Sequence, residues 1–479
     1  MFDVAIVGLG PVGALLANLL GQAGLQVIAL ERDTGIHPLP RAVHFDGEVM
    51  RIFQSAGLAD RIAAAARPSS KGMHFLSPDG RTLMIRRGRE GPGPQGWVSN
   101  WYFHQPLLEQ VLRDGLGRFP NVQCRLGTEV VALDETKDHV TLHLQPDAGP
   151  VQAHYVVGCD GARSLVRRAI GSRQQDLGLH QPWLVVDLLV DQNSKRAREL
   201  PDFTIQLCDP MRPMTVVYVG GDRHRWEIML MPGDDPARMT EPEIFWPMLA
   251  RWLGPEDAVI ERSAVYTFHS VIAEGWRRDR LLLAGDSCHQ TPPFLGQGMC
   301  AGMRDAANLA WKLDLICRGL ADDALLDTYE SERRPHVQTF IDLAVKLGAV
   351  IQATDPEAAR ERDRRFASGA PEMFDYPQPA LGPGAHRDGR LFPQPRLADG
   401  RLLDEAVGNR FAVLGRASSP PGMVAIEKPG PEISAWLTAR DAIAVVLRPD
   451  RYIFGVARDQ EALAKLTRAL PSAPKSTVT

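Results

Sequence analysis

Apolar residues in this chain fall into short runs that stop abruptly on a glycine or an acid. Phe2–Val7 is one such run and has the length of a buried strand. Gly8-Leu9-Gly10-Pro11-Val12-Gly13 follows at once, and Ala14–Ala23 turns helical. Gln26–Leu30 predicts a second strand, ending on Glu31. The same grammar returns at Tyr155–Cys159 before Asp160-Gly161, and at Leu281–Ala284 before Gly285-Asp286. After the third run, Pro292-Pro293 stiffens a loop that continues into Gly296-Gln297-Gly298. From Met299, apolar residues at Met303, Ala306, Ala307, Ala310 and Leu313 recur at helical steps.

Elsewhere the period is closer to two. Met73–Met84 and Trp97–Phe103 predict strands around a turn at Pro78-Asp79-Gly80, with a polar, glycine-rich loop between them. Gln105–Phe119 is an amphipathic helix, and Val122–Leu144 reads as a β-meander. Trp183–Val190, Phe203–Leu207, Met214–Val219, Trp226–Met231 and Ala264–His269 alternate as antiparallel strands, with a helix at Glu241–Leu253. Leu325–Ala349 is a long helix, and Asp355–Pro395, rich in Pro, Gly and charge, reads as a linker. Leu402–Ala469 has the pattern of a small α/β module, and Pro471–Thr479 reads as a frayed tail. The expected organisation is a discontinuous nucleotide-binding domain (1–72, 104–172, 270–350), an inserted substrate domain (73–103, 173–269), a linker (351–395) and a module (396–479).

Composition narrows the class. The 479 residues exceed one compact core, and 44% hydrophobic with 23% charged residues is ordinary for a globular enzyme. A net charge of -4 argues against a nucleic-acid partner. Six cysteines, at 124, 159, 208, 288, 300 and 317, contain no CxxC pair and fit a reducing cytosol. Val12–Leu20 is too short to cross a membrane. The expectation is a cytoplasmic enzyme with no membrane or nucleic-acid partner, no metal site, and a homodimer left open.

The chemistry lies in the turns. Gly8, Gly10 and Gly13 form the dinucleotide fingerprint: a tight turn, a close backbone approach to pyrophosphate, and helix packing on the strand. Glu31 stands where a ribose diol is bonded, with Arg32 beside it. The fingerprint alone does not separate NAD from FAD. Arg41, after Pro40, either neutralises pyrophosphate or covers a flavin ring, or is a plain surface arginine. Gln105 opens its helix and either bonds the cofactor or caps the helix. Two further acid–glycine turns, at Asp160 and Asp286, exceed what an NAD dehydrogenase needs.

Three motifs carry a family resemblance: Gly8-x-Gly10-x-x-Gly13 with Glu31, Cys159-Asp160-Gly161-x-x-Ser164-x-Val166-Arg167, and Gly285-Asp286 with Pro292 and Gly296-Gln297-Gly298. Over most of residues 1–345 the chain resembles the class A flavoprotein monooxygenases, the para-hydroxybenzoate and phenol hydroxylase group. Pro40-Arg41-Ala42, Asp209-Pro210-x-Arg212-Pro213 and Met231-Pro232-Gly233 look most like its 3-(3-hydroxyphenyl)propionate hydroxylases. The resemblance implies an α/β fold: a Rossmann-like FAD-binding domain, an inserted, mostly antiparallel β-sheet substrate domain, and a C-terminal thioredoxin-like module without cysteines. It implies bound FAD, transient NADH or NADPH, and O2, with a small phenolic aromatic hydroxylated through a flavin C4a-hydroperoxide. An epoxidase or Baeyer–Villiger enzyme on a polyketide or polycyclic aromatic is the alternative within the same fold. No WxWxIP signature of a flavin halogenase appears.

By the same resemblance, Glu31, Arg32, Arg41, Gln105, Asp160 and Asp286 contact the cofactor. Pro293, also a catalytic candidate, and Gly296, Gln297 and Gly298 line its isoalloxazine ring, with Met299 a further cofactor-binding residue. Cys300 departs from the asparagine frequent there in relatives. A phenol, with a pKa of roughly 10, reacts better once a base draws off its proton. His44 and Asp46 are the leading candidates, with His104 and His289 behind them.

Overall fold

The computed structural model describes residues 1–479 except 39, 146–148, 367–369, 416–421 and 472–479. The expected frayed tail therefore lies outside the described residues from 472 onward.

Three of the abrupt apolar runs become adjacent strands. The main sheet runs in the order Arg277–Arg278, Leu281–Leu283, Val151–Gly158, Phe2–Val7, Val27–Leu30, Val122–Arg125. Val7 pairs in parallel with Gly158, and Gly158 with Leu283. Their carboxyl ends, and so the turns at Gly8, Asp160 and Gly285, come out side by side. These strands are buried over their carboxyl-terminal halves, Val4–Val7, Tyr155–Gly158 and Leu281–Leu283, which explains the apolar runs there. Helices Pro11–Gln22 and Gly298–Cys317 pack on each other. Glycine is required at their crossing: a Cβ on Gly302 would lie 2.6 Å from the Val12 side chain and 3.0 Å from the Gly285 backbone.

A nine-stranded, mostly antiparallel sheet stands against this layer. It runs from His289–Gln290 through Ala258–Glu274, Arg173–Val190 and Arg223–Met229 out to Thr82–Arg86 and Glu372–Phe374. Trp183 and Trp226 are fully buried on it. At about 200 Å² and 25 cal/mol per Å², each contributes roughly 5 kcal/mol of transfer free energy. A three-stranded sheet of His44–Asp46, Asn100–Phe103 and Ala66–Pro68 sits between the two layers, and a four-stranded sheet organises residues 412–457.

Several elements differ from the sequence pattern. Arg173–Val190 and Ala258–Glu274 are single strands of 18 and 17 residues, where only their apolar halves alternate. Their other halves are held by pairing with each other, from Arg173↔Glu274 onward. The expected meander holds only from Glu129: Glu129–Glu135 and Val140–Gln145 pair antiparallel, and the latter with Val151–Gly158, whereas Val122–Arg125 joins the main sheet in parallel with Val27–Leu30. The stretch read as a linker holds the helix Pro356–Phe366 and the strand Glu372–Phe374. That helix docks through Arg362, whose guanidinium donates to the carbonyls of Cys208 at 2.8 Å and Val350 at 3.1 Å. A charged composition conceals such backbone-directed docking.

Candidate active site

A cleft of about 370 Å³ opens where the three turns face the large sheet. Its floor includes Gly10, Arg41, His44, Asp286, Pro293 and Gly296, and Val185, Tyr266 and Phe268 of the sheet close it. The volume falls in the ordinary range for small-molecule sites. A larger cavity, about 520 Å³, lies against residues 409–452 and includes none of the glycine turns.

The walls suit an anionic, ring-bearing ligand. The helix Pro11–Gln22 begins at Gly10 and the helix Gly298–Cys317 at Gln297, both without a side-chain cap. Uncapped amides at a helix N-terminus attract phosphate and other anions. A Cβ on Gly10 would meet nothing within 4 Å, so the backbone there faces open space. Gly8 has φ +96° and packs against the Cys159 carbonyl, which a Cβ would approach to 2.5 Å. Gly13 is tighter, since a Cβ would lie 2.1 Å from the Gly8 carbonyl oxygen. The fingerprint glycines thus hold one turn closed against the next. This uncapped, glycine-walled cradle fits the pyrophosphate of FAD.

Each expected site residue has a definite place. Glu31 accepts from the Leu9 amide at 2.8 Å and the Asp33 amide at 3.1 Å, fixing its carboxylate at the end of its strand. Arg32 is exposed, 3.9 Å from Asp33 and away from the cleft wall. Gln105 does line the cleft. Its Oε1 accepts from the amides of Arg41 and Ala42, each at 2.8 Å, and its Nε2 donates to Glu109 at 2.7 Å. Its amide is largely spent on shaping the Arg41 loop. Asp286, Met299 and Gly298 are on the wall. The Asp286 side chain is open to the cleft yet walled in by protein, and that enclosure raises its pKa against the nearby His289 and Arg41.

Other placements correct the expectation. Asp160 is not on the cleft wall: its Oδ2 accepts from the amides of Leu165 at 2.6 Å and Val166 at 3.2 Å, starting the next helix. Gln297 is buried behind the loop, where its Oε1 accepts from Arg304 at 3.2 Å. Asp46 is no free base. It caps the helix Gly47–Ser55 through the Val49 amide and pairs with Arg304 at 2.6 Å. Burial raises its pKa, but the Arg304 charge outweighs it and leaves the carboxyl below its ordinary value. His289 is fully buried and held by Asp305 at 2.7 Å. His104 does not line the cleft. Cys300 is buried, with its thiol 3.6 Å from the Gly296 carbonyl.

His44 remains. It is buried, lines the cleft, and packs so closely on Gly296 that a Cβ there would lie 3.1 Å from its Nδ1. Its Nε2 is 3.2 Å from the Asn100 Oδ1, which also accepts from Arg86 at 2.5 Å. Arginine only donates, so the amide oxygen must face Arg86, and Nε2 of His44 must carry the proton. Nδ1 then holds a lone pair, and the Gly296 carbonyl 3.5 Å away, itself an acceptor, leaves it unbonded. Burial, aided by the Arg86 charge and opposed by Asp46, lowers the His44 pKa to about 4. The ring is neutral at pH 7.

Sequence reasoning missed the opposite wall. Arg225, buried, donates to the carbonyls of Pro40 at 2.6 Å and Arg41 at 2.9 Å, and pairs with Asp187 at 2.7 Å. Arg262 pairs with the same Asp187 at 2.6 Å. The visible signal was charge at alternate positions inside apolar strands, as in Arg225-Trp226-Glu227.

Comparison with known proteins agrees with this geometry. A family model described as an FAD binding domain matches residues 1–344. A probable NADH-specific resorcinol 4-hydroxylase of Rhodococcus jostii is 37% identical, over 98% of this chain and 95% of that protein. A 3-(3-hydroxy-phenyl)propionate/3-hydroxycinnamic acid hydroxylase of Escherichia coli is 34% identical, over 96% of this chain and 92% of that protein. The solved structure of aklavinone-11 hydroxylase with FAD and aklavinone has the same fold, with TM-score 0.80 and 22% identity over 98% of this chain and 99% of that one. The chain uses FAD, a reduced nicotinamide and O2. It belongs to the FAD-binding-domain family and is a flavin-dependent hydroxylase.

Proposed function

We propose that this protein hydroxylates a small phenol, in the class of resorcinol or 3-(3-hydroxyphenyl)propionate, with NADH or NADPH as reductant. One observation carries the reading: the cleft joins an anion-binding floor to a wall bearing Tyr266 and Phe268, with a neutral imidazole between them. The two curated relatives named for phenolic substrates match nearly the whole chain. Bound FAD would supply the hydride acceptance and the activation of O2.

The residues of the chain do the rest. The Gly8–Gly13 turn and the amides at Pro11–Gly13 would hold the pyrophosphate, and Glu31 the adenosine ribose. Arg41 would lie along the cofactor, in a loop fixed from one side by Gln105 and from the other by Arg225. Pro293, Gly296, Gly298 and Met299 would line the isoalloxazine. Nδ1 of His44 would accept the hydrogen bond of the phenol. Burial of the cleft beneath the large sheet would keep water from the activated oxygen.

The mostly antiparallel sheet serves as the substrate domain, inserted between segments of the cofactor domain. We read the four-stranded sheet of residues 412–457 as a thioredoxin-like module without redox chemistry, since every cysteine precedes residue 318. The setting proposed is cytoplasmic; among the described residues no helix is long and apolar enough to cross a membrane.

Oxygen uptake with NADH and a panel of phenols, with product mass determined, tests the reading. A catechol-type product carrying one added oxygen atom is expected. An epoxide, a lactone, or no phenol-stimulated uptake overturns it.

A further inference from the structure

Beside Asn100 and Tyr376, both of which touch His44, is a smaller chamber of about 130 Å³. An engineered apolar cavity of about 150 Å³ takes benzene, so one ring or one acid group fits this space. Its walls include Arg86, Ser99, Asn100 and Tyr376. Among the described residues every other buried charge on the wall has its counter-ion, and Arg87, which has none, is exposed. Asp46 and Glu48 share Arg304, each at 2.6 Å, and Asp375 is 3.7 Å from Arg89.

Arg86 is the exception. It is 1% exposed, and among the described residues no carboxylate lies within ion-pair distance of it. One nitrogen donates to Asn100. Its Nε and Nη2 are buried without partners, and so is Nδ2 of Asn100. The ring of Tyr376, 4.4 Å from the guanidinium centre, covers one face. Tyr376 itself is tied to the Leu295 carbonyl at 2.7 Å and lies 6.0 Å from the His44 ring. Among the described residues, the one buried side-chain acceptor on the wall without a partner is Nδ1 of His336.

A buried cation with unmet donors is costly unless an anion completes it. We infer that the Arg86–Asn100–Tyr376 chamber is an anion subsite, which receives an anionic oxygen of the substrate while the ring lies against His44. That oxygen is a carboxylate or a phenolate. Arg86 is then the residue that selects charged substrates. The inference rests on the hydroxylase reading for its substrate, though not for the anion.

The experiment compares wild type with Arg86→Met and Arg86→Lys, all FAD-replete, on 3-(3-hydroxyphenyl)propionate and resorcinol. Charge-assisted hydrogen bonds predict a rise in KM of about 10- to 100-fold for the propionate with Arg86→Met. If the anion is a carboxylate, the ratio of KM for the propionate to KM for resorcinol rises about 10-fold or more, because any change passed through Asn100 to His44 is common to both substrates. If it is a phenolate, both substrates lose kcat/KM and the pH–rate midpoint moves upward. Unchanged KM and kcat for both substrates overturns the inference. Where Arg86→Met fails to hold FAD, Arg86→Lys decides: loss of the planar fork predicts about fivefold or more weaker binding of the propionate, and none refutes it. Should no phenol stimulate oxygen uptake in wild type, the function reading fails alone. Calorimetric titration of benzoate into wild type and Arg86→Lys then tests the subsite, and equal affinity in both overturns it.

Discussion

His44→Ala separates two ways in which a histidine beside a phenol can act. As a general base it would take the proton outright, and such groups are worth about 10²- to 10⁴-fold in rate. Its pKa of about 4 argues otherwise. Against a phenol near 10, full transfer is uphill by about 6 units, or roughly 8 kcal/mol. What remains is a neutral hydrogen bond into Nδ1, worth about 1 kcal/mol, or about fivefold. His44→Ala should therefore lower kcat/KM with resorcinol about fivefold, retain FAD, and release more hydrogen peroxide per NADH. Because the ring is already neutral, the pH–rate profile between about pH 5 and 8 should keep its shape in the variant. The assay is steady-state oxygen uptake with product quantified over that range. A loss of about 10³-fold, together with a wild-type inflection near pH 6–7 that vanishes in the variant, would refute the reasoning.

Three further outcomes follow from the packing. Gly13→Ala puts a Cβ 2.1 Å from the Gly8 carbonyl oxygen, so the helix must retreat from the turn and flavin absorbance per protein should fall steeply on purification. Arg304→Met leaves Asp46 and Glu48 buried without a cation, at a cost of about 3–5 kcal/mol, read as a lower melting temperature. His224, stacked on Tyr218, is held by burial at a pKa of about 4, below its unfolded value near 6.5. The unfolded chain therefore takes up that proton first. The penalty is absent above about pH 6.5 and grows as pH falls toward 4, reaching about 2 kcal/mol at pH 5. His224→Phe should narrow the gap between urea midpoints at about pH 7.5 and pH 5.

The parts legible in the sequence are those whose physics is local. Gly8 and Gly13 mark a turn where backbone meets backbone, Gly285 takes φ +67° against the Val12 side chain, and a missing side chain shows in any reading. The apolar runs that end on them become strands buried on both faces, so the main sheet and the cleft's floor could be placed. The roles of acids and amides could not. Asp160 and Asp286 look alike in sequence, each at the end of a buried strand. The first spends its Oδ2 on two amides of its own helix, while the second stands open on the cleft wall.

His44 and Asp46 show the same limit more sharply. Two residues apart on one short strand, they point to the same side, and composition offers no reason to separate them. They are separated by partners far along the chain. Asp46 meets Arg304, 258 residues later, and becomes a fixed counter-ion; His44 meets Asn100 and Gly296 and stays neutral with a free lone pair. A signal for the first did exist. Arg304-Asp305, Asn308 and Lys312 interrupt an apolar helix at steps of three and four, and all four are buried. Charge on the buried face of a helix needs an opposite charge arriving from elsewhere. That rule calls for an acid opposite Arg304 without naming it; the fold supplies Asp46 and Glu48, and leaves His44 as the group free to face a substrate. The rule would not have found Arg86, whose distinction is that no acid arrives.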